Sequence, residues 1–427
     1  MKINPVKTLK GIVNLPPDKS IAHRAAMFAA LSEESSIIEN YSLAADPQST
    51  LSCLRQLGVS IEQNGTTVYI KGVGRSGFQT PTEPVDCGNS GTTMRLLSGI
   101  ISGSGIEATL IGDTSLTGRP MKRVMDPLKK MGSSFTARED NYPPLTIHAN
   151  KGLKSITYEL PVASAQVKSC VLLAGLFAEG TTEVVEKVST RDHTERLLNL
   201  PKMTNAQGVT ILSSNREHPI PAQNYAIPGD FSAATFWMVA GSIVPDSHIV
   251  IPNVGMNHSR TAALYILKRM GADITVNNER MVGGGEPVAD LEVRYASLKA
   301  TIIHEEEVPN CIDELPILSV AMSFADGISS YSGAEELRFK ECDRIMAVSE
   351  LLKKAGVLFT EQKDGLTITG NPSHVANEAV YETWHDHRIA MSAAIMSLKA
   401  KQPSEIIHAE AASISYPAFY DDLANLS

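Results

Sequence analysis

The chain has 427 residues, 43% of them hydrophobic, which is more than one growing core accommodates, so two domains are expected. Its 38 Lys plus Arg against 47 Asp plus Glu give a net charge of −9, which excludes a general field drawing in nucleic acid or an anionic membrane surface. Five cysteines without a CxxC pair speak against a disulfide framework or a zinc ribbon, and the longest weakly polar stretch, Phe231 to Val244, is too short to span a bilayer.

The opening MKINPVKTLKG has lysines but no apolar signal core, so a cytoplasmic protein, or one delivered already processed, is expected. In DKSIAHRAAMFAAL (18–31), Ile21, Ala25, Phe28 and Leu31 recur at helical spacing and predict a helix with these side chains in the core. Lys19 and Ser20 precede that core and Arg24 lies one turn in, so all three can reach one anion at the helix start, where free N–H groups and the helix dipole favour negative charge. LRQLGVSI (54–61) reads as a helix end with a cation in its last turn, a glycine, then a strand. LKKMGSSF (128–135), LKRMGADITV (267–276) and LKKAGVLFT (352–360) repeat it, and NAQGVTIL (205–212) is a poorer copy. TTVYIKG (66–72) and GLTITG (365–370) predict strands, so the repeat, at about 60 to 85 residues, describes an α/β supersecondary module used several times.

GNSGTTMR (88–95), SAQVK (164–168), KECDR (340–344) and DHR (386–388) resemble the Lys19 segment, each a loop opening onto a helix with a cation at its mouth. Ordinary solvated cations are the alternative at each site, but several together imply a substrate with more than one anionic group. Cys170, within VLLAGLFA, reads as a small buried hydrophobe. A domain seam is expected at Ile227 to Asp230, where a proline-rich stretch yields to the helix FSAATFWMVAG. Asp313 opens the helix ELPILSVAMSFA, either as an N-cap or as a proton-transfer acid. Lys340 and Arg344 are read as i, i+4 neighbours with Glu341 three before Arg344, either a surface salt bridge or an acid held beside two substrate-binding cations. Cys342 is a candidate reactive thiol. His385 and His387 flank Asp386 but point apart at i, i+2 with no other His or Cys near in sequence, so no metal is expected. No G-x-G-x-x-G or Walker loop is present.

As a set, LPPDKSIAHR, GNSGTTMR, GDTSLTGRPM, SAQVK, RDHTE, MNHSRT, IDELPIL, EELRFKECDR, DHRIAMSAA and SYPAFYDDL resemble the 5-enolpyruvylshikimate-3-phosphate synthase family over essentially the whole chain. SAQVK and RDHTE resemble its second class, whereas Pro17 and Ser259 depart from that class, which stays open. The resemblance implies two similar α/β domains, 1–17 plus 229–427 and 18–228, each of three βαβαββ units with helices inside and sheets outside, and an active site in the cleft between them that domain closure completes. It implies transfer of the enolpyruvyl group of phosphoenolpyruvate to the 5-hydroxyl of shikimate-3-phosphate, with no metal or organic cofactor, inhibition by glyphosate, and a monomer.

Carried over residue by residue, the resemblance assigns Lys19, Ser20, Arg24, Ser164, Ala165, Gln166, Arg191, Asp313 and Lys340 to shikimate-3-phosphate. It assigns Lys19, Gly91, Arg119, Gln166, Arg344 and Arg388 to phosphoenolpyruvate, and makes Asp313, Glu341 and Lys19 catalytic. First-class members place a Lys before their terminal Phe-Pro; here Ile414 and Ser415 stand nearest, so that contact is absent or met elsewhere. Two rivals remain: the related transferase acting on UDP-N-acetylglucosamine, which typically carries a Cys in the loop matching 112–121 that GDTSLTGRPM lacks, and a non-catalytic anion-binding protein.

Overall fold

In the computed structural model, which describes residues 1–427, helices of two kinds alternate. Lys122–Lys130 and Ala262–Arg269 are one-sided. Val124, Met125 and Leu128 face inward in the first, Ala263, Leu264, Ile266 and Leu267 in the second, and cations fill the last turn of each. Gly132 and Gly271 follow at φ +108° and +91°, left-handed turns that an L side chain would strain, and strands Phe135–Arg138 and Asp273–Val282 come next. The poorer copy departs from this grammar. Residues 205–208 turn a hairpin between strands Lys202–Thr204 and Thr210–Ser214, because Asn205 Oδ1 accepts from Gln207 N at 3.0 Å and Val209 N at 2.9 Å, a local bond that competes with helix.

The second kind has no polar face. Lys19–Leu31, Gly91–Ser104 and Ala165–Gly175 are buried on nearly every side beyond their first turns, and Phe231–Ile243, Leu315–Ser323 and His387–Ser397 are buried along their whole length. Burying hydroxyls is tolerable because they bond their own helix: Ser98, Ser169, Ser242, Ser319 and Ser397 each donate to the carbonyl four residues back, at 2.7–2.8 Å. Small residues also permit close crossing. A Cβ on Gly99 would lie 2.4 Å from the Cys170 carbonyl oxygen, so only glycine lets these two helices meet there.

Four of the six buried helices follow a short strand and lead to a parallel partner in the same sheet. Val85–Asp86, helix Gly91–Ser104, Ala108–Ile111, helix Lys122–Lys130 and the hairpin Phe135–Arg138 with Tyr142–Ile147 make one βαβαββ module, its strands ordered first, second, fourth, third. Five four-stranded sheets share this order. Two of them take their first strand from a distant part of the chain: Asn224–Ala226 beside Ser35–Glu39, and Lys10–Ile12 beside His248–Gly255. The sixth sheet falls short of the implied module. It has only Val380–Tyr381, Ser404–Ile406 and the antiparallel Lys2–Ile3, because 3-10 and helical turns replace the closing hairpin.

The chain divides into two compact units, each with three sheets and its own apolar core. One comprises Met1–Pro16, Pro228–Met281 and Pro287–Ser427; the other comprises Pro17–Ile227 and Val282–Glu286, a hairpin tip that the sequence reading assigned to the first. No helix is long and apolar enough to cross a membrane.

Candidate active site

In the unit built on residues 17–227, polar side chains gather at the first turns of the three buried helices. Asp18 caps the Lys19 helix, its Oδ1 accepting from Ile21 N at 2.9 Å, and Lys19 Nζ meets Asp46 Oδ2 at 3.0 Å. Arg24 is 3% exposed: Nε donates to Thr194 Oγ1 and Nη2 to Ser169 Oγ, both at 2.8 Å, and Nη1 to the Ser20 carbonyl at 3.1 Å. Its guanidinium is therefore locked in one orientation. Ser164 caps the helix that Ala165 and Gln166 begin, and Gln166 Oε1 accepts from Arg95 Nη1 at 2.7 Å while its Nε2 donates to Thr92 Oγ1 at 3.0 Å. Arg119 Nη2 donates to Asn89 Oδ1 at 2.8 Å and Ser115 Oγ at 3.0 Å. Gly91 sits against both arginines: a Cβ there would be 3.0 Å from Arg95 Nη1 and 3.5 Å from Arg119 Nη1. Arg191 lies partly exposed in the loop between strand Thr182–Glu186 and helix His193–Leu197.

Two side chains act differently from the sequence reading. Lys168 is no cation at a helix mouth. It is fully buried, held by Glu195 Oε1 at 2.7 Å and Glu186 Oε1 at 3.0 Å, and so fastens the RDHTE segment that carries Thr194 to Arg24. Arg95, read as the cation at the mouth of the GNSGTTMR helix, instead positions Gln166 and borders Gly91. The signal was its place one helical turn beyond Gly91.

His23 lies buried beside these cations, Nδ1 2.6 Å from Thr50 Oγ1 and Nε2 without a partner. Burial first, then Lys19 and Arg24, hold its pKa well below the usual value, so the ring is neutral in the folded protein. As pH falls the unfolded chain takes up this proton first, so stability drops below about pH 6.5 by up to about 1.4 kcal/mol per pH unit. His23→Gln removes that contribution. Urea midpoints of parent and variant, followed from about pH 7.5 to about pH 5.5, should change their spacing in the variant's favour; a constant difference refutes the assignment.

The other unit gathers its charges around one guanidinium. Arg344 is 1% exposed: Nε donates to Asp386 Oδ2 at 2.8 Å, Nη2 to Glu341 Oε2 at 2.6 Å, and Nη1 to Asp313 Oδ1 at 3.3 Å. Burial alone would lower its pKa, but Asp386, Glu341 and Asp313 outweigh burial and raise it. Lys340 Nζ lies 3.5 Å from Asp313 Oδ1. Asp386 also caps the His387–Ser397 helix through Arg388 N at 2.8 Å, which fixes the start of the segment bearing Arg388. Arg388 Nη1 is 3.8 Å from Glu314 Oε1, and Glu314 accepts from Ser232 Oγ.

Three expectations need correction here. The N-cap of the Leu315–Ser323 helix is Glu314, and Asp313, one residue earlier, bonds Arg344 instead of capping. The Glu341–Arg344 pair is no surface salt bridge, since Arg344 is buried, and the helix begins only at Arg344, so Lys340 is not its helical neighbour. Cys342 is no reactive thiol: burial, then Asp386, push its pKa up, as burial does for Cys170. The missed residues are Asp386 and Glu314, carboxylates that fix the two arginines.

The family model for EPSP synthase (3-phosphoshikimate 1-carboxyvinyltransferase) matches residues 3–423. A 3-phosphoshikimate 1-carboxyvinyltransferase of Salinibacter ruber is 47% identical over 100% of this chain and 99% of its own, and one of Syntrophomonas wolfei is 46% identical with the same coverage. An EPSP synthase structure from Acinetobacter baumannii superposes with a TM-score of 0.87 at 40% identity, covering 100% of this chain and 98% of that one. An enolpyruvyl transferase from Streptomyces tendae shares the fold, with a TM-score of 0.76 at 16% identity over 100% of this chain and 96% of that one. With matches over its full length in sequence and in fold, the chain belongs to the EPSP synthase family.

Proposed function

We propose that the two sets of side chains serve one reaction, with Asp313 and Glu341 as its proton-transfer groups. The chain is an enolpyruvyl transferase that moves the enolpyruvyl group of phosphoenolpyruvate to shikimate-3-phosphate in aromatic biosynthesis. In our reading Lys19, Ser20, Arg24, Ser164, Ala165, Gln166, Arg191, Asp313 and Lys340 take shikimate-3-phosphate. Lys19, Gly91, Arg119, Gln166, Arg344 and Arg388 take phosphoenolpyruvate. Arg suits the second role because its planar fork pairs bidentately with carboxylate and phosphate.

The observation that carries the proposal is Arg344 holding Asp313 and Glu341 together, one on each Nη. A substrate anion that takes these donors releases two carboxyl groups beside the reacting atoms. Asp313 accepts the proton of the 5-hydroxyl as its oxygen attacks C2 of phosphoenolpyruvate, and Glu341 delivers a proton to C3, giving a tetrahedral ketal phosphate. Loss of a C3 proton and of inorganic phosphate then restores the enol ether. Fixed cations stabilise the charge as it moves onto the leaving phosphate.

Phosphate release tests the proposal. It should require both substrates, and UDP-N-acetylglucosamine should not replace shikimate-3-phosphate. Glyphosate should inhibit in competition with phosphoenolpyruvate; a response flat into the millimolar range (on the order of 1 mM Kd or weaker) counts against the assigned phosphoenolpyruvate contacts. Gly91→Ala places a methyl 3.0 Å from Arg95 Nη1. Overpacking of that kind costs about 1–3 kcal/mol, so glyphosate inhibition should weaken about tenfold or more, with a raised KM for phosphoenolpyruvate.

A further inference from the structure

His387 is buried at the start of its helix, whereas His385 lies exposed just before the Asp386 cap, outside the helix. His385, however, meets two residues that spacing could not reveal. Parallel pairing of Tyr381 with Ile406 brings the chain beyond both strands to the same edge, and Thr383 Oγ1 donates to the His408 carbonyl at 3.3 Å. There the ligand atoms of His385, His408 and Glu410 all lie within 4.8 Å of one another.

We propose that His385, His408 and Glu410 form a zinc site that fastens the turn at residues 384–386 to the turn at 408–410. Two imidazoles and a carboxylate are the donor set that suits Zn²⁺ among the available divalent ions. Bonds of about 2.0–2.2 Å in tetrahedral geometry put neighbouring donors about 3.3–3.5 Å apart. His408 Nδ1 and Glu410 Oε1 are already 3.3 Å apart, and the His385 and His408 rings face each other with centroids 3.9 Å apart. Small rotations of partly exposed side chains bring the remaining donors in. Trp384, His385 and His408 hold positive φ of 48°, 56° and 53°, tight turns that keep the two histidines at neighbouring points of the chain's path. The ion's place one residue before Asp386 makes it a brace for the helix start that carries Arg388.

Chelator-stripped protein titrated with Zn²⁺ against a chromophoric competitor should bind one equivalent and melt several degrees higher when loaded. His385→Asn and His408→Asn, chosen because Asn tolerates positive φ, should each weaken binding at least about tenfold. His248→Asn removes an imidazole paired with Glu292 elsewhere on the same unit and should leave binding unchanged. In the unaltered protein Zn²⁺ should protect His385 and His408 from diethyl pyrocarbonate, read by peptide mass spectrometry, so the test does not depend on a variant folding. Binding that survives both Asn variants, or equal modification of both histidines with and without Zn²⁺, means an adventitious ion only and overturns the proposal.

Discussion

Asp313→Asn should lower kcat for enolpyruvyl transfer by about 10³-fold, within the range that a positioned general base contributes. The substitution keeps size and shape, and the Asn oxygen can still accept from Arg344 Nη1, now 3.3 Å from the carboxylate, so the fold should persist. What is lost is a group able to take the hydroxyl proton. A base acting in the reaction also shapes the pH profile: the ascending limb of kcat/KM, on which it becomes available, should vanish in the variant. A merely structural Asp313 would leave that limb in place and change chiefly stability. The same experiment separates an enzyme from an anion-binding protein of the same fold, since a chain that never turns over has no kcat to lose. An Asn variant with parental kcat removes Asp313 from the chemistry.

Arg344→Met should destabilise its unit by about 3–5 kcal/mol, the cost of leaving buried carboxylates without their cation. Asp386 is 0% exposed and takes two of the guanidinium's hydrogen bonds, while Glu341 and Asp313 take one each. Arg344→Lys should recover little, because one ammonium on a flexible stem cannot reproduce a planar fork shared among three carboxylates. Adding Asp386→Asn to Arg344→Met should restore part of the loss by removing the most deeply buried stranded charge, a coupling that a double-mutant cycle in urea measures directly. Both Arg344 variants should also lose transfer activity. An Arg344→Met protein as stable as its parent would show that the carboxylates are hydrated or protonated, and the account of this cluster would fail.

Local features survive translation from sequence to structure because neighbours in the chain impose them. Asp18, Ser90, Ser164, Asp230, Asp343 and Asp386 cap helices, each accepting from a backbone N–H two or three residues on, and such caps are readable in one dimension. The helix, glycine, strand phrases at 54–61, 128–135, 267–276 and 352–360 are readable for the same reason, since the left-handed turn demands glycine whatever the surroundings. NAQG misled because one asparagine bonding its own turn outweighs a weak helical pattern.

The motif set by itself determined the family, the α/β modules and the residue types able to hold two phosphorylated acids. Tertiary structure alone decided which charges face one another. Lys168 and Arg24 look alike in their motifs, yet one is sealed between Glu186 and Glu195 while the other is fixed by Thr194 and Ser169. Arg344 finds Asp386 42 residues away, and His385 finds His408 across a strand pair. A buried charge is tolerable only with hydrogen-bonding or oppositely charged partners in reach, and those partners come from packing, which no local spacing encodes.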